Sequence, residues 1–289
     1  MQGDCFTKTN TNCSSTKQTS DLLTNDYSFD RKFKLTTKSA AGVTFTTEGT
    51  LKPKKLDGKL TAKWSPAEGL LIDKLSISST GRLVGEATLK NAIPNTDLVC
   101  KVQDGAGEAP AGELEVKYTN DKFTFDCGVD VVNGPTLSAS GSALVGATGL
   151  SLGASLKLDT KLDEASGSPE LINYNAGVLY TYKDVTCSLV TKDKMSGFTV
   201  SAYNDLNKET QLGAQLNFSK GELKSLAVGA MYQLDQDTKL QTKVTNTGVV
   251  SANYILAIRP GTKGIASVEI DALNFAGDAH KLGLSLILG

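Results

Sequence analysis

Along most of the chain, apolar and polar residues alternate one by one. Successive side chains of a β-strand point to opposite faces, so a strand with one wet and one dry face must show this period of two. From Lys122 to Val131, Phe123, Phe125, Cys127, Val129 and Val131 share one parity, and Lys122, Thr124, Asp126, Gly128 and Asp130 share the other. The pattern returns in Leu137, Ala139, Gly141, Ala143 and Val145 against Thr136, Ser138, Ser140 and Ser142. It returns again in Leu150, Leu152, Ala154, Leu156 and Leu158 against Ser151, Ser155 and Lys157. Weaker copies run through Phe33 and Leu35, Leu60 to Trp64, Leu114 to Tyr118, Leu212 to Phe218 and Leu240 to Val244.

Short turn sequences separate these runs: Ser39-Ala40-Ala41-Gly42, Thr119-Asn120-Asp121, Asn133-Gly134-Pro135, Ser219-Lys220-Gly221-Glu222 and Pro260-Gly261-Thr262-Lys263. Connections this short imply antiparallel hairpins. At the usual length of a spanning strand, the chain after Asn25 accommodates roughly 18 or 19 strands. So long a sheet aggregates through its edges unless it closes, and closure into a barrel removes them. The predicted fold is therefore all-β: one antiparallel barrel over residues 26–289, preceded by an N-terminal segment, residues 1–25, that reads as a short helix or as a flexible tail.

Composition decides which face is wet. Hydrophobic residues make up 39% of the chain and aromatics 6%, lean for a packed soluble core of this size. The apolar parity is mixed with Ala and Gly, a surface that lipid solvates without jigsaw packing, while the other parity carries charges of both signs, as a water-filled lumen does. A membrane helix needs about 20 apolar residues in a row. The nearest candidate, Val131 to Leu156, is broken by Pro135, several glycines and frequent Ser or Thr. A transmembrane barrel is the expectation.

Charge and cysteine usage narrow the function. Thirty basic residues face 31 acids, which leaves no clustered positive footprint for nucleic acid. Cys5, Cys13, Cys100, Cys127 and Cys187 lack the close spacing of a zinc or redox motif, and their odd number suits a reducing compartment. Met1 to Gln18 has no apolar secretory core, which argues against a bacterial outer-membrane protein. The single histidine, His280, has no nucleophile or ligand cluster near it in the sequence, so neither an enzyme nor a metal or cofactor site is expected.

The closing run His280-Lys281-Leu282-Gly283-Leu284-Ser285-Leu286-Ile287-Leu288 resembles the last strand of the voltage-dependent anion channels, the mitochondrial porins. Lys281, Gly283, Leu284, Leu286 and Leu288 fit the sorting signal by which such barrels are inserted. Tyr27-Ser28-Phe29, Lys34 to Lys38, Lys117-Tyr118, Lys243-Val244 and Pro260-Gly261 are similar to other parts of the family, so the resemblance covers about Tyr27 to Leu288. It implies 19 strands closed by a parallel pair, the number on record for the family. It also implies the mitochondrial outer membrane and a voltage-gated, weakly anion-selective pore for ATP, ADP, phosphate, organic acids and ions. The related import channel of that membrane is the rival reading. Asp26-Tyr27-Ser28 stands in place of the family's glycine hinge, and Asn95-Thr96-Asp97 where relatives often have Gly-Leu-Lys.

Parity assigns candidate pore-lining residues: Lys32, Lys34, Lys59, Lys63, Lys117, Lys157, Lys239 and Lys243. Glu113, Glu115, Asp126, Asp130 and Glu269 fall on the same side and temper any anion preference. Asp73 shares parity with Leu71, Leu75 and Ile77, which makes it a candidate lipid-facing carboxylate; the resemblance links such a residue to gating and self-association into a homo-oligomer. A bulge would instead let it reach water. Expected partners are membrane lipids and the permeating metabolites and ions.

Overall fold

The computed structural model describes residues 14–52, 55–105, 109–132, 136–145, 149–159, 170–275, 277 and 280–289. Cys5, Cys13 and the turn at Asn133-Gly134-Pro135 lie outside them. One helix, α1 (Ser14–Thr24), precedes β1 (Arg31–Lys38), β2 (Thr44–Lys52), β3 (Lys55–Ala67), β4 (Leu70–Ser78), β5 (Leu83–Ile93), β6 (Thr96–Asp104), β7 (Ala111–Thr119), β8 (Phe123–Asp130), β9 (Thr136–Val145) and β10 (Leu150–Asp159). There follow β11 (Glu170–Tyr182), β12 (Val185–Lys192), β13 (Gly197–Asp205), β14 (Thr210–Ser219), β15 (Glu222–Gln233), β16 (Thr238–Thr245), β17 (Val249–Arg259), β18 (Thr262–Asp271) and β19 (Lys281–Leu288). All 19 strands belong to one sheet, and pairing of β1 with β19 closes it into a barrel. Successive hairpins reverse direction, so an odd count leaves the first and last strands running the same way and the closing pair parallel.

Turn chemistry sets the register. Lys220 and Gly221, with φ of 52° and 80°, form the two-residue turn that joins β14 to β15, the geometry whose twist matches that of the flanking strands. Pro260-Gly261, with Gly261 at φ 82°, turns β17 into β18. Proline presets the first corner and glycine accepts the left-handed second one.

Two compact units emerge, one comprising residues 1–33, 144–153 and 175–289, the other residues 34–143 and 154–174. In the first, α1 lies on the polar face of β12 to β15, which makes that face the inner one. In the second, the same alternation holds. Leu75, Ile77, Leu83, Val102, Leu114 and Phe125 are exposed on the apolar face, while Ser76, Thr88, Val99 and Thr124 are buried on the other. Among the described residues no helix is long and apolar enough to cross a membrane.

Candidate functional site

An 11-residue helix rich in Ser and Thr is too short and too weak in propensity to persist by itself. What holds α1 is its inward side. Thr19, Leu22 and Leu23, spaced three and four apart, form one stripe and are the buried positions among the described side chains of the helix. The wall receives them at two glycines directly opposite each other, Gly213 on β14 and Gly229 on β15. A β-carbon at Gly213 would lie 2.7 Å from Leu22 Cδ2, and one at Gly229 would lie 2.7 Å from Leu23 Cδ2. The leucines fill the space that side chains would occupy.

The end of the helix is closed by the wall. Asn25 N donates to Asp21 O at 2.9 Å, and Thr24 Oγ1 donates to Ser20 O. The next two carbonyls have no partner within the helix, as at any helix C-terminus. Gln241 Nε2 donates to Leu22 O, and Lys243 Nζ donates to Leu23 O at 3.1 Å. A cation here also suits the negative end of the helix dipole. Lys243 Nζ sits 4.4 Å from the centre of the Tyr27 ring as well, so one lysine fastens both the helix and the segment after it.

Asp26 takes the left-handed conformation, φ 64°, where a helix usually ends in glycine. Ser267 Oγ donates to its carbonyl at 3.2 Å. The chain then crosses β19 at Gly283, where a β-carbon would meet Ser28 O at under 2 Å. No side chain fits there while the crossing lasts. These partners share two neighbouring rows of the sheet, Gly213–Gly229–Lys243–Ser251–Glu269–Lys281 and, two residues along, Gln241–Asn253–Ser267–Gly283.

Several of the remaining charged residues pair, either between neighbouring strands or, for Lys117 and Glu115, along one strand. Lys34 Nζ lies 3.1 Å from Glu48, Lys117 Nζ 3.2 Å from Glu115, and Lys281 Nζ 2.8 Å from Glu269. Lys59 stands opposite Glu48 in the β2–β3 register, and Lys239 shares the parity of Gln241 and Lys243. Lys32 alternates with the exposed Phe33, and Lys157 with the exposed Leu156. On β19, Leu284 and Leu286 are exposed on the face opposite Gly283, with Leu288 on their parity.

At Asp73 the alternation of β4 is interrupted. The ladder slips between Ile72 and Lys74, so Asp73 is the extra residue of a bulge and leaves the apolar row. Its carboxylate accepts from Lys63 Nζ at 3.2 Å and from Thr88 Oγ1 at 2.6 Å, both on the polar side.

Comparison with known proteins identifies the assembly. The sequence model of the eukaryotic porins matches residues 13–283. The chain belongs to this family. Mitochondrial outer membrane protein porin 3 of Arabidopsis thaliana is 30% identical over 274 residues, covering 94% of this chain and 95% of the relative. Porin 4 of the same plant is 29% identical over an equal span and coverage. The mitochondrial outer membrane porin of 34 kDa from Solanum tuberosum is 28% identical over 276 residues, 94% of this chain and 95% of its own. Among solved structures, a mutant of the Rh. blastica porin has 11% identity and a TM-score of 0.47, covering 84% of this chain and 90% of that one.

Sequence reasoning missed several residues that hold the helix inside this porin. Gln241 and Ser267 look like ordinary wall positions, and Gly213 and Gly229 like weak strand residues; their alternation with apolar neighbours put them on the inner face, but nothing local announced a docked helix. Lys101 was also missed, although Asp97, Lys101 and Gln103 alternate with Leu98, Cys100 and Val102. Instead of a glycine hinge, the porin has Asp26 bonded to Ser267.

Proposed function

We propose that this mitochondrial outer-membrane porin is a voltage-gated, weakly anion-selective diffusion pore for ATP, ADP, phosphate, organic acids and small ions, with residues 1–25 acting as a unit against the barrel of residues 26–289. The observation that carries the reading is the polar face: lysines meet carboxylates from strand to strand, so the wall is charged and hydrated but close to neutral. Such a surface favours passage over tight binding and discriminates weakly by sign. Lys32, Lys34, Lys59, Lys63, Lys117, Lys157, Lys239 and Lys243 would line it, lipid would surround the outer face, and solutes would meet the inner one.

The N-terminal helix supports the gating part. Its hold is two leucines and a few polar bonds. One buried leucine is worth about 1.5–3 kcal/mol, and moving one charge through 100 mV about 2.3 kcal/mol. Field and fastening are therefore of the same order. Reading as a metabolite pore rather than an import channel is supported by the relatives, which are named as porins.

Single-channel recording of the refolded protein in a planar bilayer, at both signs of voltage and under a salt gradient, tests the proposal. A large conductance, anion-favouring when open and stepping to lower substates as voltage rises, is expected. Pores blocked by mitochondrial presequence peptides and insensitive to voltage would transfer the reading to protein import, and a folded barrel without conductance would end it.

A further inference from the structure

Charges on the polar face of the second compact unit are sorted by strand. On β2 to β4 the polar parity carries Lys52, Lys55, Lys59, Lys63 and Lys74 against Glu48, Asp57 and Asp73. Each of those acids is held by lysine: Asp57 by Lys52 at 3.1 Å and Lys55 at 2.9 Å, Glu48 by Lys34, and Asp73 by Lys63. On β5 to β8 the ratio reverses. Glu86, Asp97, Glu113, Glu115, Asp126 and Asp130 stand against Lys90, Lys101 and Lys117.

Here two of the cations, Lys101 and Lys117, are the ones enclosed. Lys101 Nζ contacts Glu115 and lies 3.6 Å from Glu113, with Glu86 opposite it in the register. Lys117 bonds Glu115 and stands opposite both Asp97 and Asp126. The border falls between β4 and β5, where Lys74 faces Glu86. Pairing takes up all three acids on β2 to β4 and two of the three lysines on β5 to β8, so each stretch presents to water a field with the sign of its majority.

Screening keeps the two stretches distinct. At physiological ionic strength the Debye length is about 8 Å, and neighbouring strands lie about 4.8 Å apart. The fields of two groups of strands, each several strands wide, therefore overlap only near their border. The geometry points to two ion paths along one wall, an anion path over β2 to β4 and a cation path over β5 to β8, whose opposition produces weak net selectivity. This rests on the pore reading above and names the residues that set its specificity: Lys59 and Lys63 for anions, Glu86 and Glu113 for cations.

The test is block of single-channel current by two polyvalent probes, spermine and inorganic pyrophosphate, in the full chain and in the variants Lys59→Gln and Glu113→Gln. With separate paths, Glu113→Gln weakens spermine block by about fivefold, the size of one unit-charge contact in water, and leaves pyrophosphate block unaltered. Lys59→Gln does the reverse. In a single mixed lumen each substitution moves both probes by similar factors in opposite directions, and that result overturns the two-path assignment while the pore stands. Absence of current in the unsubstituted protein sinks the pore reading itself. Should Glu113→Gln fail to insert, Glu86→Gln carries the same expectation from β5, on the other side of Lys101.

Discussion

Leu23 is 2% exposed although it belongs to a helix with almost no other apolar residue. Trimming a buried leucine to alanine costs about 2–5 kcal/mol, which exceeds what so short a helix can supply from its own hydrogen bonds. Leu23→Ala is therefore expected to release α1, seen as loss of amide protection over residues 17–24 in hydrogen exchange while the strands keep theirs. Gly229→Val should act from the other side, because its side chain would enter the space of Leu23 and also meet Thr242 O at 3.0 Å. Spin labels on the helix and on β15 should separate in that variant and stay close in the unsubstituted protein.

Asp73 offers a residue-scale test with opposite signs for two placements. A carboxylate facing lipid is stabilised by replacement with leucine, because the charged group leaves hydrocarbon. In the observed bulge, Asp73→Leu strands the buried Thr88 hydroxyl, a loss of about 1–3 kcal/mol. The Lys63 contact is partly exposed and adds only about 0.2–1 kcal/mol. Thermal unfolding in micelles should show a lowered midpoint for Asp73→Leu. A raised midpoint would return the residue to the lipid face.

At the scale of elements, the helix and the wall depend on each other unequally. The sheet is closed by its own ladders, whereas α1 borrows two carbonyl partners from β16 and its space from β14 and β15. Deleting residues 1–25 should leave a barrel with the same strand content by circular dichroism that still inserts and conducts. The voltage dependence proposed above should change, since the element proposed to move is gone. Lys243→Ala should give a milder version: removing the cation at the helix end costs about 0.3–1 kcal/mol, up to about 2 when partly buried.

Across the whole molecule, the sheet's two faces set what each substitution does. On β19, Leu284 is 64% exposed on the apolar face, while Gly283 beside it is buried beneath the N-terminal crossing. Leu284→Arg should therefore cost about 2–4 kcal/mol at mid-bilayer depth and less nearer the surface, read as a lower denaturant midpoint in lipid vesicles. Gly283→Ala should leave the lipid face untouched and dislodge residues 26–29, read from the same spin labels.

Much of this was legible in the alternation alone. Strand identity and the sorting of polar and apolar residues onto two faces follow from a period of two, because a pleated strand has no other way to present one wet and one dry face. Family likeness in the last strand supplied the strand count. Where parity failed, at Asp73, the cause was a single inserted residue, and an extra residue in one strand is invisible until its partner strand is known. Asp26 shows a second limit: its left-handed turn is tolerable because Ser267, distant in sequence, takes its carbonyl. The docked helix was beyond local reading for the same reason. Thr19, Leu22 and Leu23 make a stripe too small to predict a helix, and only the tertiary structure sets that stripe on two glycines, with a glutamine and a lysine waiting for its last carbonyls. Alternation is a property of neighbours in the chain and so is written in the sequence; a seat is a property of neighbours in space, decided when the sheet closes.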